Sequence, residues 1–366
     1  MFVYLTSKKF PASTADHLYI LALAKSFYKV LGDAFVLVVS KGSKGTDAVP
    51  VYEVGIPGLP RSVSYFFWFP FFILSTVEKD RKVVFSNDLN LLLVAIFWKK
   101  VLHAPYVVCA DWHLATNTFK DSLILRYADV SITTSDKLRR NLIAIEPRCQ
   151  KRIFTVHGGV DPEAYKREIR SRVALGLPEH MFLVGYVGLF STMGKEKGLS
   201  TIIEALQYLP ADTVVVLVGA TPEEVHTYES LAESGDSAHR LRIIPRVEPN
   251  KVPSYIRAMD VLVIPYPDEP HFTEFGFPMK VYEYLAAGKP IVYSSLDIIH
   301  EVLEGKGTAF TAGDPISLAN AVAKIRKRPP YPMENMEEYS WETKASRILS
   351  QVDLRYSSSD PTAISP

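Results

Sequence analysis

The chain has 366 residues, 48% of them hydrophobic and 22% charged, which is too much material for one ordinary core and excludes disorder over most of its length, so two domains are expected. Forty-one Lys and Arg face 40 Asp and Glu, a balance that excludes broad nucleic-acid binding through counterion release and requires any anion to be held locally. Cys109 and Cys149 are the only cysteines and lie outside any zinc-ligand spacing, so they read as buried packing residues in a reducing compartment.

At the start, Met1-Phe-Val-Tyr-Leu runs into Thr6-Ser-Lys-Lys with neither a basic n-region nor a cleavage site, and reads as a first strand over Phe2–Leu5 rather than a secretory leader. In the following turn, Ser13 and Asp16 have capping-box spacing; a simple N-cap is the plainer reading, while the small residues Ser13 and Thr14 also leave room for an acceptor. A helix over His17–Leu31 and a strand over Phe35–Val39 follow. Val63 to Leu74 spans 12 residues including Pro70, well short of the ~20 needed to cross a bilayer. Flanked by Arg61 and by Lys79, Arg81 and Lys82, it reads first as a helix packed on a sheet and second as a segment touching a membrane interface or a lipid-linked acceptor. Strands are expected at Lys82–Ser86, Tyr106–Ala110, Val130–Thr134 and Ile153–Val156, with a helix over Asn90–Leu102. Continuous apolar strands separated by helices signal a doubly wound parallel sheet.

Polar, helix-breaking residues from Asp161 to Pro178 place a domain boundary near residue 168. The alternation restarts at Phe182 and continues through strands at Thr213–Val218, Arg242–Pro245, Val261–Pro265, Ile291–Ser294 and Thr308–Phe310, with helices over Leu199–Leu209 and Val281–Ala287. The expected organisation is an α/β pair of Rossmann-like doubly wound domains, 1–168 and 169–335, facing a central cleft. A C-terminal helix at 336–356 packs back on the first domain, and a polar, Pro-containing tail at 357–366 is disordered.

Ligands of such sheets sit beyond the carboxyl ends of the strands. Asp111-Trp-His113 directly follows the strand Tyr106–Ala110; His113 can donate to a sugar hydroxyl or position an anomeric centre, and Asp111 is an acceptor-side candidate or a structural turn residue. After Phe182–Val187 comes Gly188-Leu-Phe-Ser-Thr-Met-Gly-Lys-Glu-Lys-Gly198, where glycines admit close backbone approach and Lys197, beside Gly198 at the helix entrance, offers charge for a diphosphate leaving group. The competing reading is a surface loop kept soluble by Lys195, Glu196 and Lys197. Phe275-Gly-Phe-Pro-Met-Lys-Val-Tyr-Glu283 is a loop running into a helix opened by Pro278 and stopped by Gly288. Amides at that helix start suit a phosphate, and Glu283 suits ribose hydroxyls; an ordinary solvated glutamate is the bland alternative. No Asp-x-Asp, HExxH or His cluster occurs, so neither a metal nor any other cofactor is expected.

In order, these segments resemble the retaining glycosyltransferases of GT-B architecture, family 4 (glycosyl transferases group 1), over essentially residues 1 to 350. The resemblance rests on Tyr186-Val-Gly with Lys197-Gly198, Val218-Gly219, Ala258-Met-Asp-Val-Leu-Val-Ile-Pro-Tyr266, Pro278-x-Lys280, Glu283-Tyr-Leu-Ala-Ala-Gly-Lys-Pro-Ile-Val, Ala128-Asp-Val with Ser135, and Gly158-Gly-Val-Asp161. It implies a nucleotide-sugar-binding second domain, with Glu283 on the ribose, Lys197 on the diphosphate, and Gly276, Phe277, Pro278 and Met279 near the sugar and phosphates. Gly188 and Gly219 would line the donor site, and Arg246 and Val247 would lie near the base. The first domain would bind the acceptor, with His113 beside the transferred sugar. Anomeric configuration would be retained.

Two departures stand out. Leu189 occupies a position where the family often has Arg, leaving Lys195 or Lys280 to substitute, and the E-x7-E pattern would require Glu at 275, which is Phe beside Glu274. Only about fifteen residues separate His113 from Ala128-Asp129, so the acceptor side is short. The implied activity is metal-free transfer of a hexose from a UDP- or GDP-sugar to a saccharide or lipid-linked acceptor in cell-envelope synthesis. The enzyme would be cytoplasmic or peripheral on the inner face of the membrane. A nucleotide-sugar epimerase of similar fold and a degenerate nucleotide-sugar-binding scaffold are the alternatives.

Overall fold

The computed structural model describes residues 1–10, 15–43, 48–75, 82–166, 170–233, 238–274, 279–327 and 335–359. It divides into two compact units, Met1–Gly159 with the segment from Glu338 onward, and Val160–Glu337. The division therefore falls at Gly159/Val160, earlier than the polar stretch near residue 168, and the C-terminal helix belongs to the first unit.

Among the described residues the first unit holds seven parallel strands: β1 (Phe2–Leu5), β2 (Phe35–Ser40), β3 (Val51–Val54), β4 (Lys82–Ser86), β5 (Tyr106–Trp112), β6 (Val130–Thr133) and β7 (Ile153–Thr155). Their order is β3-β2-β1-β4-β5-β6-β7, so the winding reverses beside β1, which pairs with β2 through Phe2↔Phe35 and with β4 through Phe2↔Val83. Helices α1 (Ala15–Leu31), α2 (Arg61–Ser75), α3 (Leu89–Leu102), α4 (Phe119–Tyr127) and α5 (Asp136–Ile145) make the crossovers. Side-chain caps set their starts: Asp88 accepts from the amides of Asn90 and Leu91, Thr118 from Asp121, and Ser135 from Leu138. Central strands are buried on both faces, as a parallel sheet between helix layers requires.

β5 runs two residues beyond the apolar segment Tyr106–Ala110. Asp111 pairs in register with Ile132 and Trp112 with Thr133, so Asp111 is a strand residue and not the first residue of a turn. The edge strand β3 has exposed Tyr52 and Glu53 and lacks the apolar run that marks the other strands.

The second unit begins with α6 (Glu163–Lys166) and contains β8 (Phe182–Val187), a small antiparallel hairpin of β9 (Ser191–Thr192) and β10 (Lys195–Glu196), then β11 (Thr213–Ala220), β12 (Leu241–Pro245), β13 (Val261–Ile264), β14 (Ile291–Ser294) and β15 (Thr308–Phe310). Its helices are α7 (Leu199–Ala205), α8 (Pro222–Glu233), α9 (Val252–Ala258), α10 (Pro270–Thr273), α11 (Met279–Ala286), α12 (Asp297–Leu303) and α13 (Pro315–Arg326). The six-stranded sheet has the order β12-β11-β8-β13-β14-β15 and is parallel throughout. Its winding reverses between β8 and β13, the crevice where an open α/β sheet binds ligands.

The chain returns to the first unit with α14 (Trp341–Ser359), which packs against α1. Both cysteines are buried and unbridged.

Candidate active site

At the carboxyl end of β8, three elements of the second unit converge. The Val187 amide donates to the Tyr284 hydroxyl at 3.0 Å, pinning α11 to the strand end, and the Tyr186 hydroxyl donates to the Leu189 carbonyl at 2.9 Å. The Gly188 amide donates to the Val218 carbonyl at 2.8 Å. Both Gly188 and Gly219 have positive φ, and a Cβ on Gly219 would lie 2.2 Å from the Gly188 carbonyl oxygen. Only a residue without a side chain allows the ends of β8 and β11 to approach this closely. Across Gly188 lies the stem of Lys280, whose Cε would be 2.5 Å from a Cβ there.

Lys280 and Glu283 lie three residues apart on α11, with Nζ 2.6 Å from Oε2 and each side chain about one fifth exposed. Lys197 is half-buried beyond the hairpin, and its amide donates to the Phe190 carbonyl at 3.0 Å. Its pKa is pushed down to about 8, first by burial and second by the positive charge of Lys280, with Glu224 and Glu283 opposing. Two mutually repelling ammonium groups thus stand beside a strand terminus, one of them paired with Glu283, and a bound anion would relieve their repulsion.

Other predicted donor residues are distributed around this centre. Lys195 is exposed and paired with Glu269 at 2.8 Å. Arg246 and Val247 follow β12, where the Arg246 amide donates to the Ala220 carbonyl at 3.1 Å. Met279 is the first residue of α11, and Glu274 is a half-buried residue that caps the end of α10. Gly276, Phe277 and Pro278, with Phe275, lie outside the described residues, as do Ser13 and Thr14 of the first unit. His271 was not singled out by sequence; it lies within the field of Lys195, Glu269 and Lys197, and burial followed by Lys195 lowers its pKa.

The first unit gathers a second set at the end of β5. Asp111 is buried; its Oδ2 accepts from the Tyr19 hydroxyl at 3.0 Å and lies 3.0 Å from His113 Nε2. The Tyr19 ring meets His113 edge-on at 4.5 Å and Trp341 of α14 at 5.3 Å. Lys344, also on α14 and buried, donates to the Val156 carbonyl at 2.7 Å. Its pKa is pushed down to about 8 by burial, which the charge of Asp111 opposes. Because the carboxylate takes the Nε2 hydrogen, neutral His113 presents Nδ1 as an acceptor, and it donates there only as imidazolium. Tyr19, Trp341 and Lys344 carry no local motif; their chemistry emerges only when α1 and α14 meet β5.

Residues 181–328 match the family model described as glycosyl transferases group 1. That segment belongs to the glycosyl transferases group 1. It contains every described donor candidate from Gly188 to Glu283. A D-inositol 3-phosphate glycosyltransferase of Xylanimonas cellulosilytica is 25% identical over 215 residues, covering 55% of this chain and 49% of that protein. The chain thus spans about half the length of the curated relatives it matches. Among solved structures, HepE of Anabaena in complex with UDP shares 17% identity and a TM-score of 0.70, covering 97% of this chain and 95% of that one. Sucrose-phosphate synthase from Thermosynechococcus elongatus shares 18% identity and a TM-score of 0.70, covering 98% and 99%. At these identities the likeness establishes the fold, the two Rossmann-like units of the GT-B architecture. Among the described residues no helix is long and apolar enough to cross a membrane.

Proposed function

We propose that the protein is a retaining hexosyltransferase that moves a sugar from a UDP- or GDP-sugar to a saccharide or lipid-linked acceptor without a metal ion. The observation that carries this reading is the clustering of Lys197, Lys280 and Glu283 at the switch point of the second sheet, inside the segment that matches group 1. Glu283 accepts from the ribose hydroxyls, and Lys197 and Lys280 hold the diphosphate. In the transfer, the bond from the anomeric carbon to the diphosphate breaks and a bond to the acceptor oxygen forms on the same face. The acceptor proton passes to the departing diphosphate, whose charge the two ammonium groups stabilise. His113 is assigned to the hydroxyls of the transferred sugar.

UDP and UDP-glucose in complexes of the HepE neighbour support a uridine donor. Relatives that act on D-inositol 3-phosphate and the short acceptor side support a polar acceptor of modest size. Cell-envelope saccharide synthesis on the cytoplasmic side, free or peripheral on the membrane, is the setting in which we place the reaction.

Thermal-shift and hydrolysis measurements over UDP-, GDP- and ADP-sugars without added metal test the reading. One nucleotide class should raise Tm and be slowly hydrolysed, and Glu283→Ala should remove both effects. No stabilisation by any nucleotide, or an isomerised donor formed without acceptor, overturns it.

A further inference from the structure

The two-helix layer α2/α3 presents more apolar surface than its own core uses. Tyr65, Phe69 and Ile73 of α2 are buried beneath it, yet Phe67 is 53%, Phe71 72%, Phe97 47% and Val101 51% exposed. These side chains form one surface: the Phe66 ring lies 5.6 Å from Phe67 on its own helix and 5.3 Å from Phe97 on the next. The Trp98 indole nitrogen, donating to the Phe66 carbonyl at 2.9 Å, ties the helices together. Large contiguous exposed apolar patches mark an interaction site.

Charge decides the partner. Neither α2 nor α3 contains an acidic residue; Arg61 opens one helix and Lys100 stands in the last turn of the other, where the neighbouring Lys99 is neutralised by Asp129 at 2.5 Å. Lys100 holds its ammonium 4.0 Å from the Tyr127 ring centroid, beside Val101 and one turn from Phe97. Two copies of this chain meeting face to face would set Arg61 and Lys100 of each among like charges with no acidic residue on either helix to meet them, whereas an anionic lipid surface complements them. At 15 and 14 residues the helices are shorter than the ~20 residues that span a bilayer, so the face suits lying in the interface plane, aromatic rings among the upper acyl chains and ammonium groups at the headgroups.

We infer that the outward face of α2 and α3 docks the protein on an anionic lipid bilayer. The inference deepens the reading of a peripheral position on the membrane and rests on that reading only for its purpose. Vesicle binding reports this surface and nucleotide stabilisation reports the donor residues, so either can fail alone.

The test uses the full chain and sedimentation with phosphatidylcholine vesicles, with and without phosphatidylglycerol. Binding is expected on the anionic vesicles and should weaken as salt rises. The triple variant Phe67→Ser, Phe71→Ser, Phe97→Ser is expected to lose about tenfold or more in binding, with Tm and nucleotide stabilisation retained. Should the triple variant not fold, Phe71→Ser alone and quenching of the unsubstituted protein's tryptophans by lipids brominated on their acyl chains read the same face. Trp68 and Trp98 are its half-buried indoles, and quenching is expected. Absence of sedimentation with anionic vesicles, equal sedimentation of wild type and variant, or lack of quenching overturns the inference. So does a dimer in light scattering that the triple variant dissociates, which would assign the face to a second copy.

Discussion

Lys280 reaches over the bare Cα of Gly188 and closes on Glu283 at 2.6 Å. The contact aligns the carboxylate while keeping a cation beside it. Glu283→Ala should reduce nucleotide affinity by roughly 10- to 100-fold, the loss of charged hydrogen bonds worth about 1.5–3 kcal/mol. Because the pair is partly solvated, the ligand-free protein should lose no more than about 1 kcal/mol of stability. Calorimetric titration with UDP and GDP, with urea denaturation in parallel, checks both halves.

Lys197 gives nucleotide binding a pH dependence. Its pKa of about 8 is held down by burial and by Lys280; a bound diphosphate supplies the opposite charge and raises it, so above about pH 8 binding takes up a proton. Affinity should be constant below pH 8 and then fall, by at most about tenfold per pH unit, until the raised pKa is passed. Lys197→Met should bind more weakly at pH 7 and lose this slope. Titration in buffers of differing ionisation enthalpy would count the proton.

Gly188 and Gly219 separate binding from stability. A Cβ at Gly219 meets a backbone carbonyl, which has nowhere to go, whereas one at Gly188 meets the flexible end of Lys280. Gly219→Ala should therefore cost roughly 2–4 kcal/mol of stability. Gly188→Ala should cost less but swing Lys280 away from Glu283, weakening nucleotide binding by about tenfold. Tm and nucleotide titration on the two variants distinguish the effects.

How far the sequence is legible follows from what each residue answers to. Strands such as Phe2–Leu5 and Lys82–Ser86 are readable because both faces are buried, so their composition reports burial directly. β3 is missed because an edge strand with Tyr52 and Glu53 in solvent lacks that run. Asp111 falls outside the strand read from sequence because a carboxylate ends the apolar segment, yet pairing with β6 continues the strand beneath it. The loop from Gly188 to Lys197 reads as uniform, but the β9/β10 hairpin sends Lys195 to Glu269 and leaves Lys197 toward Lys280. Tyr19 and Lys344 are invisible in sequence because their partners lie 92 residues and 188 residues away along the chain.

Those long-range contacts around Asp111 predict a division of labour with His113. Asp111→Ala strands the buried Tyr19 hydroxyl, at about 1–3 kcal/mol, and removes the charge that supports protonated Lys344. Lys344 has a folded pKa below its ordinary value, so the unfolded chain binds more protons and stability rises with pH through that window. Without Asp111 the folded pKa drops further and the window opens at lower pH. The part of the Asp111→Ala deficit that comes through Lys344 should accordingly be largest at low pH, shrink between the variant's lowered pKa and about pH 8, and be gone above it, which urea denaturation at pH 6 and pH 9 would show. Tyr19→Phe leaves the carboxylate on His113 and should lack this pH signature. His113 is about one third exposed, so His113→Ala should lower the transfer rate by at least about tenfold while leaving stability within about 0.5 kcal/mol of wild type. Equal stability losses in the Asp111 and His113 variants would mean that the histidine is a packing residue.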